Sequence, residues 1–271
     1  MDYIAILKIA FLGMGLIVGS FLNAVLWRMK EGIGLGGRSM CPSCRATIFW
    51  YDNIPVISFL LLAGKCRACH VPISPRYPLV ELLTAGLFLL IGKTFFVPDR
   101  PDASIETLLF LGASSILILI FFFDLDTMEI PNVLLWFGVG WTLPLLLLLD
   151  SIRDSSVASS DSVLHTGMLG ALIGFFPLFF LSFVSKERWM GMGDGFLAFF
   201  LGLLVGWPGI LIALLFSFTL GASAGILALL LGKKELGSEM PFGPFLIVGT
   251  FFAITVERMF PELLRMLFWF S

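Results

Sequence analysis

An all-α polytopic membrane protein of about eight transmembrane helices is the fold this sequence predicts, on three observations. The first is balance: of 271 residues, 58% are hydrophobic and only 13% charged, and the mean hydropathy is +1.00, far from the make-up of a soluble core. The second is the recurrence of apolar runs long enough to cross a bilayer, separated by short polar segments. The third is where the cations fall. Eleven of the 17 Lys and Arg lie in segments that the alternation of spans puts on one side. A net charge of −2 suggests no nucleic-acid partner, and the lipid bilayer is the partner that composition implies.

Each span has its own justification. The N-terminal stretch carries Asp2 and shows no small-residue cleavage site before Trp27-Arg28, so it reads as a retained first span, Tyr3 to Trp27. Asn23, polar inside it, is expected to face other helices. Residues 28–78 form the one long polar stretch, with Arg28, Lys30, Arg38, Arg45, Lys65, Arg67 and Arg76 against Glu31 and Asp52. The positive-inside rule makes that stretch cytoplasmic. Spans follow at about 79–97, 105–123 and 133–149, with Pro131 suited to the first turn of the last of these. A fifth span, 163–184, leads to a segment carrying Lys186 and Arg188. The 36-residue run Phe196 to Leu231 is too long for one helix, and Trp207-Pro208-Gly209 splits it around an external hairpin. The last span starts near Pro244, and its far half, VERMFPELLRMLFWF, is expected along the outer surface. No internal repeat is evident. The expected division is a first span at 1–27, a cytoplasmic loop domain at 28–78 and a membrane domain of seven spans at 79–271.

Two acids stand out. Asp194 sits in Gly191-Met192-Gly193-Asp194-Gly195, at the mouth of a long apolar run, and Asp124 follows Phe121-Phe122-Phe123 at the end of another. The topology puts both on the cytoplasmic face. Charge so close to hydrocarbon is costly, and an acid kept there is a candidate functional group. Glycines beside Asp194 leave the backbone bare for another backbone to approach. Paired carboxylates repel, so one holds a proton while the other accepts one from water, the arrangement that attack on a peptide carbonyl needs. A proton relay in a transporter would also use intramembrane acids, and each Asp as a mere helix cap is a third reading. Residue chemistry leaves all three open.

The four cysteines form two CxxC pairs, Cys41-Pro-Ser-Cys44 and Cys66-Arg-Ala-Cys69, separated by 21 residues. Each pair presents two thiolates, and two pairs complete a tetrahedral all-thiolate zinc site. Disulfides compete, but the basic flanks put this loop in a reducing compartment. Four thiolates leave no open position, so the zinc is structural and staples a loop too small for its own core. Gly32 to Gly37 has no βαβ context and reads as a flexible exit from the first span. Glu81 reads as a helix cap or a substrate contact.

The segment FDLDTMEIPN together with GMGD resembles the paired signature of the prepilin peptidases, membrane aspartyl proteases of the GxGD type. The resemblance makes Asp124, seven residues before the proline of Ile130-Pro131-Asn132, and Asp194 the catalytic pair. Asp126 becomes a neighbour at the wrong distance from the proline. PFGPFL at 241–246 resembles the family's last cytoplasmic loop, and Phe196 stands where many members carry a Lys. GSFLNAVLWR, CPSC, DNIPVISFLLLAGKCRAC and PISPRYPLVELL are similar to the N-terminal half of the bifunctional members, so the likeness covers nearly the whole chain. It implies a multi-pass enzyme of the bacterial cytoplasmic (inner) membrane with its active site facing the cytoplasm. That enzyme cuts the leaders of type IV prepilins and pseudopilins, then N-methylates the new terminus with S-adenosylmethionine. It also makes Gly64 and Lys65 candidates for the methyl-donor site. A peptidase lacking the methyltransferase is the variant reading.

Overall fold

The computed structural model describes residues 3–155, 162–232 and 240–260. The expectations for KKELGSE, for residues 156–161 of the outer connection and for the end beyond 260 lie outside these. The described chain is helical: α1 (Tyr3–Glu31), α2 (Ile57–Leu61), α3 (Arg76–Phe95), α4 (Pro101–Thr127), α5 (Asn132–Ile152), α6 (Val163–Ser185), α7 (Met192–Leu230) and α8 (Gly243–Met259), with a 3-10 turn at Trp50–Asn53. Among the described residues the only strand-like pairings are two isolated bridges, Met40 with Thr47 and Lys65 with Pro72. Six helices, α1 and α3 to α7, are long and apolar enough to cross a membrane, which makes the chain an all-α polytopic membrane protein. The expected total of eight spans also requires α7 to count as two and α8, at 17 residues, to count as one. Pro131 is the residue before α5 rather than in its first turn; its ψ of 116° is extended, as suits a cap.

The chain divides into two compact units, Met1–Leu119 and Ile120–Ser271. In the first, α1 and α3 run antiparallel at close range. A Cβ added at Gly15 would lie 2.5 Å from the Ala85 Cα, and one at Gly19 would lie 2.7 Å from the Glu81 Cα. Small residues four apart let helix backbones meet where lipid offers no hydrophobic drive for association. Asn23 continues the ladder, its Nδ2 donating to the Tyr77 carbonyl at 2.9 Å, so the polar residue does face a helix. The glycine stretch beyond α1 is no loose exit. Arg28, 4% exposed, donates to the carbonyls of Gly34 at 3.1 Å, Gly37 at 2.8 Å, Arg38 at 3.0 Å and also Gly36. A buried guanidinium needs several acceptors, and a run of small residues can curl its carbonyls around one.

In the second unit, α7 is two antiparallel segments. Its backbone leaves helical geometry at Gly206 and Trp207. Gly170 of α6 faces Gly202 and Gly206, while Gly174 meets both Ala198 before the break and Ile210 after it. The returning segment packs on α8, with Ala213 and Ser217 against Gly249 and Gly209 against Glu257. At the end of α5, Asp150 is 2% exposed and holds the start of α6. It accepts from the Ser162 hydroxyl at 2.7 Å and from the Val163 and Leu164 amides at 2.8 and 3.0 Å. Asp150→Ala strands those donors, each at about 1–3 kcal/mol. The detergent-solubilised variant is therefore expected to melt several degrees lower, and an unchanged melting curve would contradict the cap.

Candidate active site

Asp124 and Asp194 are both buried, 3% and 8% exposed, and both belong to the second unit. Asp124 lies in the last turn of α4, inside the helix rather than at its edge. Asp194 is the third residue of α7, and its carboxylate accepts the amide N–H of Gly191, the residue before the helix. That is the acidic half of a capping box, so the modest reading of Asp194 as a cap holds alongside any chemical role. The two acids lie close enough for the charge of Asp124 to act on Asp194.

Ile130 joins them. A Cβ at Gly193 would lie 3.1 Å from the Ile130 Cβ, and one at Gly243 would lie 3.4 Å from its Cδ1. The first residue of α8 thus closes on the same isoleucine as the GxGD turn. Gly243 also donates its backbone N–H to Asp124. A Cβ there would come 2.5 Å from the Asp124 Oδ2. That oxygen is buried with no hydrogen-bond partner among the described residues, an expensive state that native structures keep where it serves a purpose. Gly243→Ala is expected to push the carboxylate aside and lower the cleavage rate about a hundredfold, since misplacement by 1 Å has that scale of cost. A rate within twofold of wild type would show that the contact is slack.

Phe196, where the resemblance expects Lys, joins an aromatic cluster instead, 5.4 Å from Phe175 and 6.4 Å from Trp136 between ring centroids. Asp126 is exposed.

The four cysteines come together in the first unit. All are free thiols, and their Sγ atoms lie within 4.8 Å of one another, with Cys41 and Cys69 3.9 Å apart. Four sulfurs at the usual Zn–S length of about 2.3 Å sit roughly 3.8 Å from each other, so the donor set fits a tetrahedral ion. The amide N–H groups of Cys69 and then Ala68 draw the Cys66 thiol down to about 7, favouring the thiolate that a metal requires. The two halves are copies. Arg45 N–H donates to Cys41 O and His70 N–H to Cys66 O, both at 2.9 Å, and Cys41 and Cys66 donate to Ala46 and Val71 at 2.9 and 3.0 Å. Arg45 and His70 share left-handed φ of 59° and 57°. The repeat lies in backbone geometry, with little side-chain identity to betray it in the sequence.

Gly64 and Lys65 fall in the second copy. Gly64 has a φ of +67°, and a Cβ there would lie 3.2 Å from the Phe59 ring. Neither residue lines the large cavity of this unit. Glu81 is five residues into α3, past its first turn, so it does not cap its own helix. It is 7% exposed and accepts from the Val56 N–H at 2.7 Å, tying the cysteine loop to the helix pair.

Comparison with known proteins places this architecture. Residues 14–95 match the bacterial peptidase A24 N-terminal domain, and residues 111–226 match the type IV leader peptidase family. The prepilin leader peptidase/N-methyltransferase of Aeromonas hydrophila is 35% identical over 270 residues, covering 88% of this chain and 87% of that protein. The chain belongs to the type IV leader peptidase family. The Pseudomonas aeruginosa prepilin leader peptidase/N-methyltransferase is 32% identical over 94% of this chain and 93% of its own length. A type 4 prepilin-like proteins leader peptide-processing enzyme of Escherichia coli is 34% identical over 91% and 93%. No solved structure matches significantly. As a leader peptidase of this family the chain is an enzyme, a protease paired with a methyltransferase, and the transporter reading falls away. Its helices and its bacterial relatives make it a multi-pass protein of the inner membrane.

Proposed function

We propose that this protein cuts the leader peptide from type IV prepilins and pseudopilins at the cytoplasmic face, using Asp124 and Asp194, and then N-methylates the exposed terminus. The observation that carries the reading is the meeting of three distant segments: Gly193 at the start of α7 and Gly243, the first residue of α8, both abut Ile130, and Gly243 also abuts Asp124 in the last turn of α4. The basic residues of the 28–78 loop, by the positive-inside rule, support a cytoplasmic site. The relatives' names support the substrate and both activities.

In this reading the two carboxylates hold one proton between them, since like charges at short range do not both ionise. The ionised acid takes a proton from water as the oxygen attacks the scissile carbonyl carbon. The protonated acid donates to the carbonyl oxygen, and the tetrahedral adduct then collapses as the leaving amine is protonated. The bare, exposed backbone at Gly191 leaves room for an extended substrate, while Gly193 and Gly195 seat Ile130 and Phe179. A prepilin is an apolar helix behind a polar leader, so its scissile bond lies at the membrane boundary, where the acids are. Cys41, Cys44, Cys66 and Cys69 would hold a structural zinc that fixes the loop domain at 28–78, to which the methylation belongs, while 79–271 carries the protease. S-adenosylmethionine, when bound, supplies an electrophilic methyl. That methyl would go to the free amine of the cut pilin, with the neutral thioether as the leaving group and the amine's proton lost to water.

Incubating the purified protein with a prepilin and S-adenosylmethionine, followed by mass spectrometry of the product's N-terminus, tests both steps. Loss of the leader together with one added methyl group is expected. An uncut prepilin would refute the peptidase assignment, and a cut but unmethylated product would refute the second activity.

A further inference from the structure

The first unit encloses a cavity of about 880 Å³ between α1, the two cysteine hairpins, α2 and the start of α3. That volume lies in the range of small-molecule sites, which are apolar chambers with a few fixed polar groups. Trp27, Phe59, Leu62 and Ile73 supply apolar wall, and Asn23 and Glu81 reach it from the helix pair.

The charges around this space are not evenly paired: Arg28 also lines it, but its guanidinium is turned to the carbonyls of Gly34, Gly36, Gly37 and Arg38. Of its three acids, Asp52 is matched by Arg67 at 2.6 Å and Glu31 by Arg45 at 2.7 Å. Glu81 is held only by neutral donors, the Val56 N–H and the Ser20 hydroxyl. It is buried, being 7% exposed, whereas Glu31 is exposed. A buried carboxylate is costly unless a cation meets it. A chamber of this size, with one carboxylate that no cation meets, is suited to a ligand with a flat ring for the apolar wall and a positive charge for Glu81.

We propose that this cavity is the methyl-donor pocket, binding a nucleoside sulfonium with its apolar wall and countering the ligand's positive charge with Glu81. The inference rests on the N-methyltransferase reading above and adds the place and the residues. It also gives Gly64 a physical role. Phe59 lines the chamber and rests against Gly64, so a side chain at position 64 would press the ring inward. Gly64 is therefore a positioning residue, acting on the donor through Phe59.

Calorimetry on the full-length protein in detergent, with S-adenosylmethionine and with the neutral thioether S-adenosylhomocysteine, reads the pocket directly. Ala24 faces the cavity from α1, and Ala24→Phe fills it. That variant is expected to weaken both ligands by about tenfold or more, the scale on which hydrophobic sites respond to lost room. Glu81→Gln keeps the shape and removes the charge, so it is expected to weaken the sulfonium about tenfold and the thioether much less. Zinc content and prepilin cleavage serve as folding controls. Wild-type affinity for both ligands in both variants would overturn the pocket and leave the methyltransferase reading standing. A wild-type protein that cuts prepilin but neither binds the donor nor methylates would overturn that reading, and the pocket with it.

Discussion

Changing either Asp124 or Asp194 to Asn is expected to slow prepilin cleavage by about a thousandfold or more, the scale on which positioned acid–base groups act. Insertion should be unaffected. Asn keeps the volume and one acceptor of each side chain, so the Gly243 N–H still finds a partner at Asp124 and the Gly191 N–H at Asp194. What disappears is the capacity to exchange a proton. Because the two acids work as one unit, the double variant is expected to cost little more than either single one, as groups in a shared mechanism show strong non-additivity. Asp126→Asn, two residues along and exposed, should process prepilin within a few-fold of wild type. Initial rates on one purified prepilin, with wild type and the four variants at equal concentration, check the set. Normal processing by either single variant would end the account of these residues as the catalytic pair.

The second large effect concerns metal. Wild-type protein is expected to carry about one zinc per chain from its four thiolates, and Cys41→Ser or Cys66→Ser should carry little or none. Structural zinc in small modules contributes roughly 10–16 kcal/mol of binding free energy that is also folding free energy. The hairpins around Cys41 and Cys66 are otherwise tied by a few backbone bonds and the surface pairs Arg45–Glu31 and Arg67–Asp52, each of little worth, so they should open when it is lost. Arg45, Lys65 and Arg67 lie within them, and trypsin should cut there much faster in the variants and after chelation. Prepilin cleavage, carried by the other unit, should persist. Metal analysis finding no zinc in the wild type would reject the centre, and an unchanged tryptic pattern would reject its structural role.

Much of the candidate site was legible in the sequence because its residues carry short-range signals. The CxxC spacing marks a ligand set by itself, and an acid beside glycines at the edge of an apolar run is conspicuous in a membrane chain. The break within the 36-residue run was also readable, since Trp207-Pro208-Gly209 near its middle leaves few alternatives. What the sequence hid are contacts between distant segments. Nothing local says that Gly243 donates to Asp124, that Asp150 holds the start of α6, or that Glu81 accepts from Val56. Arg28 shows the same limit in miniature: a glycine run looks slack until the guanidinium that organises it is in view. Of the twin hairpins only the repeated CxxC pairs show in the sequence, because the hydrogen bonds that match around them involve backbone alone.

The donor that Gly243 offers Asp124 arrives from the last described helix. A ribosome making this chain has therefore threaded both acids into the bilayer well before the pocket between them is finished. A truncated or stalled product ending ahead of that residue would possess the pair and yet be unable to cut, so proteolytic competence comes only near the close of synthesis, once the rest of the bundle is in place.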